Sequence, residues 1–293
     1  MSRRSLIATI LVTAVVTALV TVSTTRAVVG QGTRPARTTD GKPNLSGVWQ
    51  VNNEANWDLQ THGARAGAVT QRGVYPYAYA EVPAAPVLAL GAAAIVPGSL
   101  GVVQGDGQIP YAPAAAMKKA ENGANWIDRD PELKCYLPGI PRATYMPYPF
   151  QIVQSSAKIQ MIYTFSNAAR TVHLDQVAGP PDDTWMGHSV GRWEGDTLVV
   201  DVTHFNDKTW LDRAGNFHSE ALHVVERYTL IGPDTLQYEA TMEDPKVFTR
   251  PWTIRMQLQR QKDVGILDYE CTAMLDELGI HHTWPREFEP PEF

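Results

Sequence analysis

The strongest constraint on the fold is a succession of short β-prone runs in the second half of the chain. Branched and aromatic residues alternate with polar ones in runs that begin near Phe150 and end near Cys271. Short polar breaks separate the runs, and Gly232-Pro233-Asp234 between Leu222–Ile231 and Thr235–Met242 is typical of a hairpin turn. No long helical pattern intervenes. The sequence therefore predicts a mainly β fold, an antiparallel barrel or sandwich.

The segments around this β-rich region differ from it in composition. One β-barrel-like domain is predicted over residues 44–285, and the polar, basic residues 31–43 predict a flexible lead-in. Residues 60–147 predict a long, loop-rich irregular insertion with a short helix over 114–121. Residues 286–293 predict an irregular tail.

The first 30 residues have the pattern of a secretory signal sequence. Arg3 and Arg4 form a positive tip, an apolar stretch runs to Val22, and small residues around Ala27 offer a cleavage site. The paired arginines resemble a twin-arginine signal, which exports folded proteins, although an ordinary positive tip has the same residues. An uncleaved membrane anchor is the alternative. The sequence predicts a periplasmic or secreted protein.

The net charge limits the kinds of partner that the protein is expected to bind. The formal net charge is -6, and removal of residues 1–27 takes away three arginines and shifts it to -9. An acidic surface disfavours nucleic acid and anionic membranes, so we expect a small-molecule ligand or substrate and no membrane association after cleavage. The sequence does not determine the oligomeric state.

Cys135 and Cys271 are the only cysteines in the chain. A disulfide between them and two buried free thiols are both compatible with the sequence.

Side chains capable of acid–base chemistry are densest between Thr184 and Arg227. Ionisable groups beside tryptophan rings are where pKa values shift, and histidines at strand ends can transfer a proton near neutral pH. The candidate catalytic groups are His188, His218, Asp212 and Glu226. The candidate substrate-binding groups are Trp185, Arg192, Trp210 and Arg227. We expect His188, His218 and at least one of the two carboxylates to line a common pocket with Trp185 or Trp210.

Each of these residues also has a structural interpretation. Tryptophans commonly pack in cores or at barrel ends, and arginines commonly pair with carboxylates at strand ends. Along Leu222–Tyr228, alternation places Glu226 on one face and His223 and Arg227 on the other. A ligand-holding lumen and a salt-bridged structural barrel both produce this pattern.

A bound metal is not predicted. His188, His218 and His223 with Asp212 or Glu226 are suitable ligand types for zinc or iron. No pair of histidines, however, has the spacing that places both on one face of a strand or helix. No other cofactor motif is present, so none is expected.

Several motifs follow one another over nearly the whole mature chain. They are Ser46–Trp49, Trp185–Ser189, Gly191–Asp201, Phe205–Asp207, His218-Ser219, Val225–Tyr228 and Thr249–Trp252. On these motifs the chain resembles a large family of uncharacterised exported bacterial proteins, which implies relatedness and export but no activity. Gly47-Val48-Trp49 also resembles the Gly-x-Trp opening of lipocalin-like barrels of the calycin type, in which the tryptophan closes one barrel end. That resemblance implies either transport of apolar molecules or cofactor-free reactions inside the barrel.

Three functions are therefore weighed. The first is a cofactor-free acid–base enzyme of hydratase, lyase, isomerase or hydrolase type acting on a small, largely apolar substrate. The second is a periplasmic protein that binds such a molecule without turnover, and the third is a structural envelope protein. A luminal histidine–carboxylate pair with access to water favours the enzyme. A dry lumen with one polar anchor favours the binding protein, and a filled barrel favours the structural protein.

Overall fold

Nine strands close into a barrel. They are β1 (Gly47–Val51), β5 (Phe150–Gln154), β6 (Lys158–Tyr163), β7 (Ala169–His173), β8 (His188–Glu194), β9 (Thr197–Thr203), β10 (His223–Leu230), β11 (Thr235–Glu243) and β12 (Trp252–Gln261). Strand β1 pairs with β5 along one edge and with β12 along the other, and the wall between them follows chain order. The prediction of a mainly β barrel is confirmed.

The computed structural model describes residues 35–70, 79–82, 95–96, 98–175, 177–266, 268–269 and 271. The predicted signal sequence and the irregular tail lie outside these residues. Within them, no helix is both long enough and apolar enough to cross a membrane.

One pair of neighbouring strands departs from the expected antiparallel arrangement. Strands β7 and β8 run parallel and are paired only through Val172 with Ser189 and His173 with Val190. All other neighbours in the barrel are antiparallel. The barrel is therefore mixed, because the chain returns through a crossover, residues 174–187, before it enters β8.

The predicted irregular insertion contains regular structure. A separate three-stranded sheet is formed by β2 (Arg65–Thr70), β3 (Tyr79–Val82) and β4 (Ile95–Val96). The helices are α1 (Pro113–Ala124), α2 (Trp126–Arg129) and α3 (Arg142–Tyr145), with short 3-10 helices at Pro131–Lys134 and Phe165–Asn167. The predicted helix over 114–121 lies within α1, whose proline is in the first turn, where its missing N–H has no helical partner to lose.

The lead-in is attached to the barrel over its described residues. Arg37 forms a bridge with Pro43, and its Nη2 lies 2.6 Å from Oδ2 of Asp196 in the β8–β9 turn. That turn places Gly195 at φ +60, a conformation that glycine adopts without strain. Residues 35–42 are exposed or half-buried, and Pro43 is the buried residue at their end, where its carbonyl accepts from the Gln154 side chain. The flexibility of the lead-in stays a prediction.

Alternation along the strands separates the barrel interior from its outer face. The sequence pattern separates two faces of β10, and the structure buries the one with Val224, Glu226 and Tyr228 while His223 and Arg227 face outward. Branched and aromatic residues on the inward face supply the apolar surface whose burial stabilises the barrel.

Trp49, on β1, is fully buried. Its Nε1 donates to the carbonyl of Leu45 at 2.9 Å. The guanidinium of Arg260, from β12, covers the ring at 4.3 Å, a cation–π contact between the first and last barrel strands.

A disulfide joins Cys135 to Cys271, which decides between the two alternatives left open by the sequence. Cys271 is buried beside Met146 and Phe165, so the bond attaches the C-terminal segment to the barrel surface. The described residues from Ile266 to Cys271 do not form the strand that their composition predicts.

We expect replacement of both cysteines by alanine to lower the free energy of unfolding by about 4 kcal/mol, because the bond restricts the unfolded chain over a long loop. Urea unfolding of the oxidised wild type and of the double variant measures this loss. Dithiothreitol serves as the control, since it should destabilise the wild type to a similar extent and leave the variant unchanged. An unchanged wild-type midpoint after complete reduction would contradict this role of the disulfide.

Candidate functional site

The parallel strand pair produces an open cleft on the outer side of the barrel wall. Strands β7 and β8 are paired in register at only two positions, and the unpaired first part of β7 lines a space together with Met186 and Gly187. The crossover passes over this gap, because the chain must return to the end of the barrel at which β7 begins before it can enter the parallel strand β8. The resulting space, here called the β7–β8 cleft, has a volume of about 470 Å³.

The cleft has a mixed lining. Its apolar residues are Ala169, Val177, Ala178, Pro180 and Met186. Its polar side chains are Arg170, Thr171, His173, Thr184, His188 and Ser189. An apolar surface with a few polar groups is the usual composition of a small-molecule site, and the volume is within the usual range for such sites.

Two imidazoles form one side of the cleft. The rings of His173 and His188 are stacked, with centroids 5.5 Å apart and an interplanar angle of 29°. Nε2 of His188 lies 3.2 Å from the carbonyl oxygen of Val177. Since a carbonyl can only accept, Nε2 carries the hydrogen and Nδ1 of the neutral ring is left as a proton acceptor. His188 is therefore oriented by the crossover itself.

The crossover is held against the barrel by a third imidazole. The ring of His204 lies edge-on to His188 at 6.0 Å, and Gly179 packs so closely on it that a Cβ would lie 2.6 Å from Cε1. The N–H of Thr184 donates to the carbonyl of His204 at 2.8 Å, and Asn206 donates to the carbonyl of Thr184 at 2.9 Å. These contacts fix the outer rim of the cleft.

Behind the cleft, inside the barrel, lies a buried ion pair. Arg170 donates to both carboxylate oxygens of Glu226, at 2.6 and 3.0 Å, and the hydroxyls of Tyr228 and Tyr238 donate to the same carboxylate at 2.9 and 2.8 Å. Burial would lower the pKa of Arg170, but the Glu226 carboxylate raises it well above its usual value. The pair connects β7 to β10 across the interior.

Of the candidate residues, His188 alone is in the lining of the β7–β8 cleft. Glu226 lies behind the cleft and is fully engaged with Arg170. The lining contains neither His218 nor Asp212, so this cleft does not bring them together with His188 as expected. The reason is that His188 lies on the outer face beneath the crossover, whereas His218 and Asp212 are hydrogen-bonded within a buried loop.

His218 is buried and satisfied on both ring nitrogens. Nδ1 lies 2.9 Å from the carbonyl of Ser219 and therefore donates, so Nε2 accepts from the hydroxyl of Thr209 at 2.6 Å. Burial lowers the pKa of His218, and the Ser219 carbonyl opposes this effect only in part. The ring is a neutral structural group.

Asp212 organises the backbone of the same loop. Its carboxylate accepts from the N–H groups of Leu59, Ala214 and Asn216 and from the Asn216 side chain, at 2.6 to 3.2 Å. Burial and the neighbouring Asp58 raise the pKa of Asp212 to about 7 against the effect of these bonds. Each of its two carboxylate oxygens accepts two hydrogen bonds from the loop and from Leu59, which indicates a structural role.

Both candidate arginines lie on the outer face in one ionic network. Arg192 pairs with Glu194 and Asp201, Arg227 pairs with Glu194 at 3.0 Å, and His223 lies 3.3 Å from Asp201. All five side chains are substantially exposed, so the network contributes little to stability. This is the pairing with carboxylates that the structural interpretation of the sequence describes.

The two candidate tryptophans pack against other groups. Trp185 stacks on Tyr136 at 4.9 Å, next to the cleft but not in its lining. Trp210 is buried in the core, and its Nε1 has no hydrogen-bond partner among the described residues. No three histidine, cysteine or acidic side chains of that part of the chain are arranged to hold a metal ion.

Sequence reasoning missed His173, His204 and Arg170. His173 ends a run that is recognisable as a strand, and alternation predicts that it points away from the buried Val172. That signal was available. The ring partner of His173, however, is His188, 15 residues further along, and their proximity follows from a parallel register that no local pattern encodes.

The buried ion pair is expected to be strongly coupled. Arg170→Met leaves Glu226 buried without a counter-charge and should lower the free energy of unfolding by about 3–5 kcal/mol. Adding Glu226→Gln removes that charge but keeps an acceptor for both tyrosines, so the double variant should be more stable than Arg170→Met alone. Urea unfolding of the four proteins in the cycle measures the coupling, and strictly additive losses would contradict it.

His218 is expected to make the fold acid-sensitive. Because its pKa is lower in the folded state, its contribution is present above about pH 6.5 and is lost as the pH falls, by up to about 1.4 kcal/mol per pH unit. The free energy of unfolding, measured by urea titration between pH 7.5 and 5, should fall less steeply in His218→Gln than in the wild type. His223→Gln, on the outer face, is the matched control and should keep the acid-induced loss. Equal slopes in the wild type and His218→Gln would contradict the assignment.

Comparison with known proteins adds no relative. No family model, no curated protein and no solved structure matches the chain significantly. The resemblance to exported bacterial proteins and to lipocalin-like barrels therefore stays a prediction, and the functional inference depends on the geometry of the cleft.

Proposed function

We propose that this is an exported protein that binds a small, largely apolar molecule in the β7–β8 cleft and acts on it with His188 as the acid–base group. The observation that carries the proposal is the orientation of His188. Its Nε2 is held by the Val177 carbonyl, beside the stacked ring of His173, in a space of about 470 Å³.

The chemistry follows from that arrangement. A carbonyl bonded to one ring nitrogen fixes the tautomer, and the other nitrogen is left to take a proton from a bound molecule. The apolar residues Val177, Ala178 and Met186 provide contact area for the body of the ligand. The reaction class consistent with one oriented imidazole in an apolar lining is a proton transfer that needs no cofactor, as in a lyase, hydratase or isomerase.

Export is part of the same proposal. It is supported by the charged and apolar pattern of residues 1–30 and by the disulfide between Cys135 and Cys271, since disulfides persist in oxidising compartments. Calycin-type membership is supported by the cap that Arg260 forms over Trp49.

A structural envelope protein is the second candidate, and one observation favours it. The ion pair of Arg170 and Glu226 is buried in the barrel interior with every strong donor and acceptor engaged, surrounded by buried tyrosines. An interior filled in this way has little room for a luminal ligand. The proposed site avoids this difficulty because it lies on the outer side of the wall.

Occupancy of the cleft is tested with the neutral fluorophore N-phenyl-1-naphthylamine. We expect saturable binding that Ala178→Trp, on the exposed rim, weakens by about tenfold, a change of about 1.4 kcal/mol, because the indole fills the space. Ala120→Trp, exposed on α1, is the matched control and should bind like the wild type. Absence of binding, or binding that Ala178→Trp leaves unchanged, would contradict the site.

Proton transfer is tested in the same samples with 5-nitrobenzisoxazole, whose ring opens when a base removes its C3 proton and the N–O bond breaks. The wild type should accelerate this opening, and His188→Gln should lose at least about tenfold in rate while it keeps the donor to Val177. His223→Gln is the control. Binding of the fluorophore without any acceleration would support a binding protein instead of an enzyme.

A further inference from the structure

The polar groups of the β7–β8 cleft have one shared property, which is that none of them is a carboxylate. They are two imidazoles, three hydroxyls and one guanidinium, in a protein with 31 acidic residues and a net charge of -6. The acidic residues of the crossover, Asp175, Asp182 and Asp183, are exposed and are not part of the lining. The cleft is therefore free of the negative charge that characterises the chain as a whole.

We propose that the ligand of the cleft is a small organic anion, a carboxylate attached to an apolar body. This inference rests on the proposed function and adds the chemical class of the ligand. The apolar residues Val177, Ala178, Pro180 and Met186 take the body, and the imidazoles of His173 and His188 take the head.

His173 is the principal partner of the carboxylate. Its ring stacks on His188 but makes no hydrogen bond within the described residues, so both of its nitrogens are available to a ligand. One N–H of a neutral imidazole, or two of an imidazolium, can donate to carboxylate oxygens, and such charge-assisted bonds are about twice as strong as neutral ones. His188 donates to the carboxylate only as an imidazolium, through Nδ1, because its Nε2 hydrogen is bonded to the Val177 carbonyl.

The buried ion pair makes this recognition possible without itself binding the ligand. Arg170 neutralises Glu226 behind the cleft, with Nη1 2.6 Å from a carboxylate oxygen. Arg170 also donates to Ser189, which belongs to the lining, at 3.3 Å. With the Glu226 charge compensated, an incoming anion meets no uncompensated negative group from the interior side of the wall.

The test uses three probes with the same chain and different heads: octanoate, 1-octanol and octylamine. Each competes with N-phenyl-1-naphthylamine for the wild-type protein at pH 6.5. We expect octanoate to bind about tenfold more tightly than 1-octanol, and octylamine to bind most weakly. His173→Gln and the double variant His173→Gln/His188→Gln should lose the preference for octanoate and keep the affinity for 1-octanol, whereas His223→Gln should keep both.

The outcomes separate this inference from the function on which it rests. Equal binding of octanoate and 1-octanol, both blocked by Ala178→Trp, overturns the anion inference and leaves the cleft as a ligand site. Preference for octylamine, or octanoate binding that survives Ala178→Trp, also overturns it. If neither the three probes nor the fluorophore bind, the proposed function itself is wrong. Thr184→Glu places a carboxylate in the lining of the cleft. A wild-type preference for octanoate that changes to a preference for octylamine in this variant supports the proposal.

Discussion

The parallel pairing of β7 with β8 is the constraint on which the candidate site depends. An antiparallel hairpin at this position would bring the chain straight back, and the wall would be continuous. The parallel register instead requires a crossover, and the short contact through Val172 and Ser189 leaves half of β7 without a strand partner on that side. The cleft is the space between the open half of β7 and the returning chain.

The filled interior explains why a site on the outer side of the wall is the better candidate. Arg170, Glu226 and the tyrosines around them satisfy one another, and breaking such a cluster leaves a buried charge or hydroxyl without a partner. A luminal ligand must displace this network, whereas a molecule in the β7–β8 cleft displaces only water. The same cluster also fixes β7 relative to β10, so it supports the strand that carries His173.

The fold was largely predictable because its signals are local. Alternation identified the runs that became β10 and β11, and it put Glu226 and Arg227 on opposite faces without indicating which face is buried. The small sheet of the insertion was not predictable, since its strands are short and lie in a segment with little alternation. The candidate site was predicted only at His188, because proximity in sequence does not determine which residues share a cavity. The grouping of His188 with His173 follows from a parallel register, which depends on contacts distant in sequence.

His188 and His218 show what decides the role of a histidine in this fold. Both ring nitrogens of His218 are bonded to protein groups in a buried loop, so the ring has no free position and its protonation is opposed by burial. In His188, only Nε2 is bonded to the protein, through the carbonyl of Val177 at the edge of an open cleft. The same side chain is a structural group where the protein satisfies it completely. It becomes a candidate for chemistry where the protein fixes its orientation and leaves one nitrogen to a ligand.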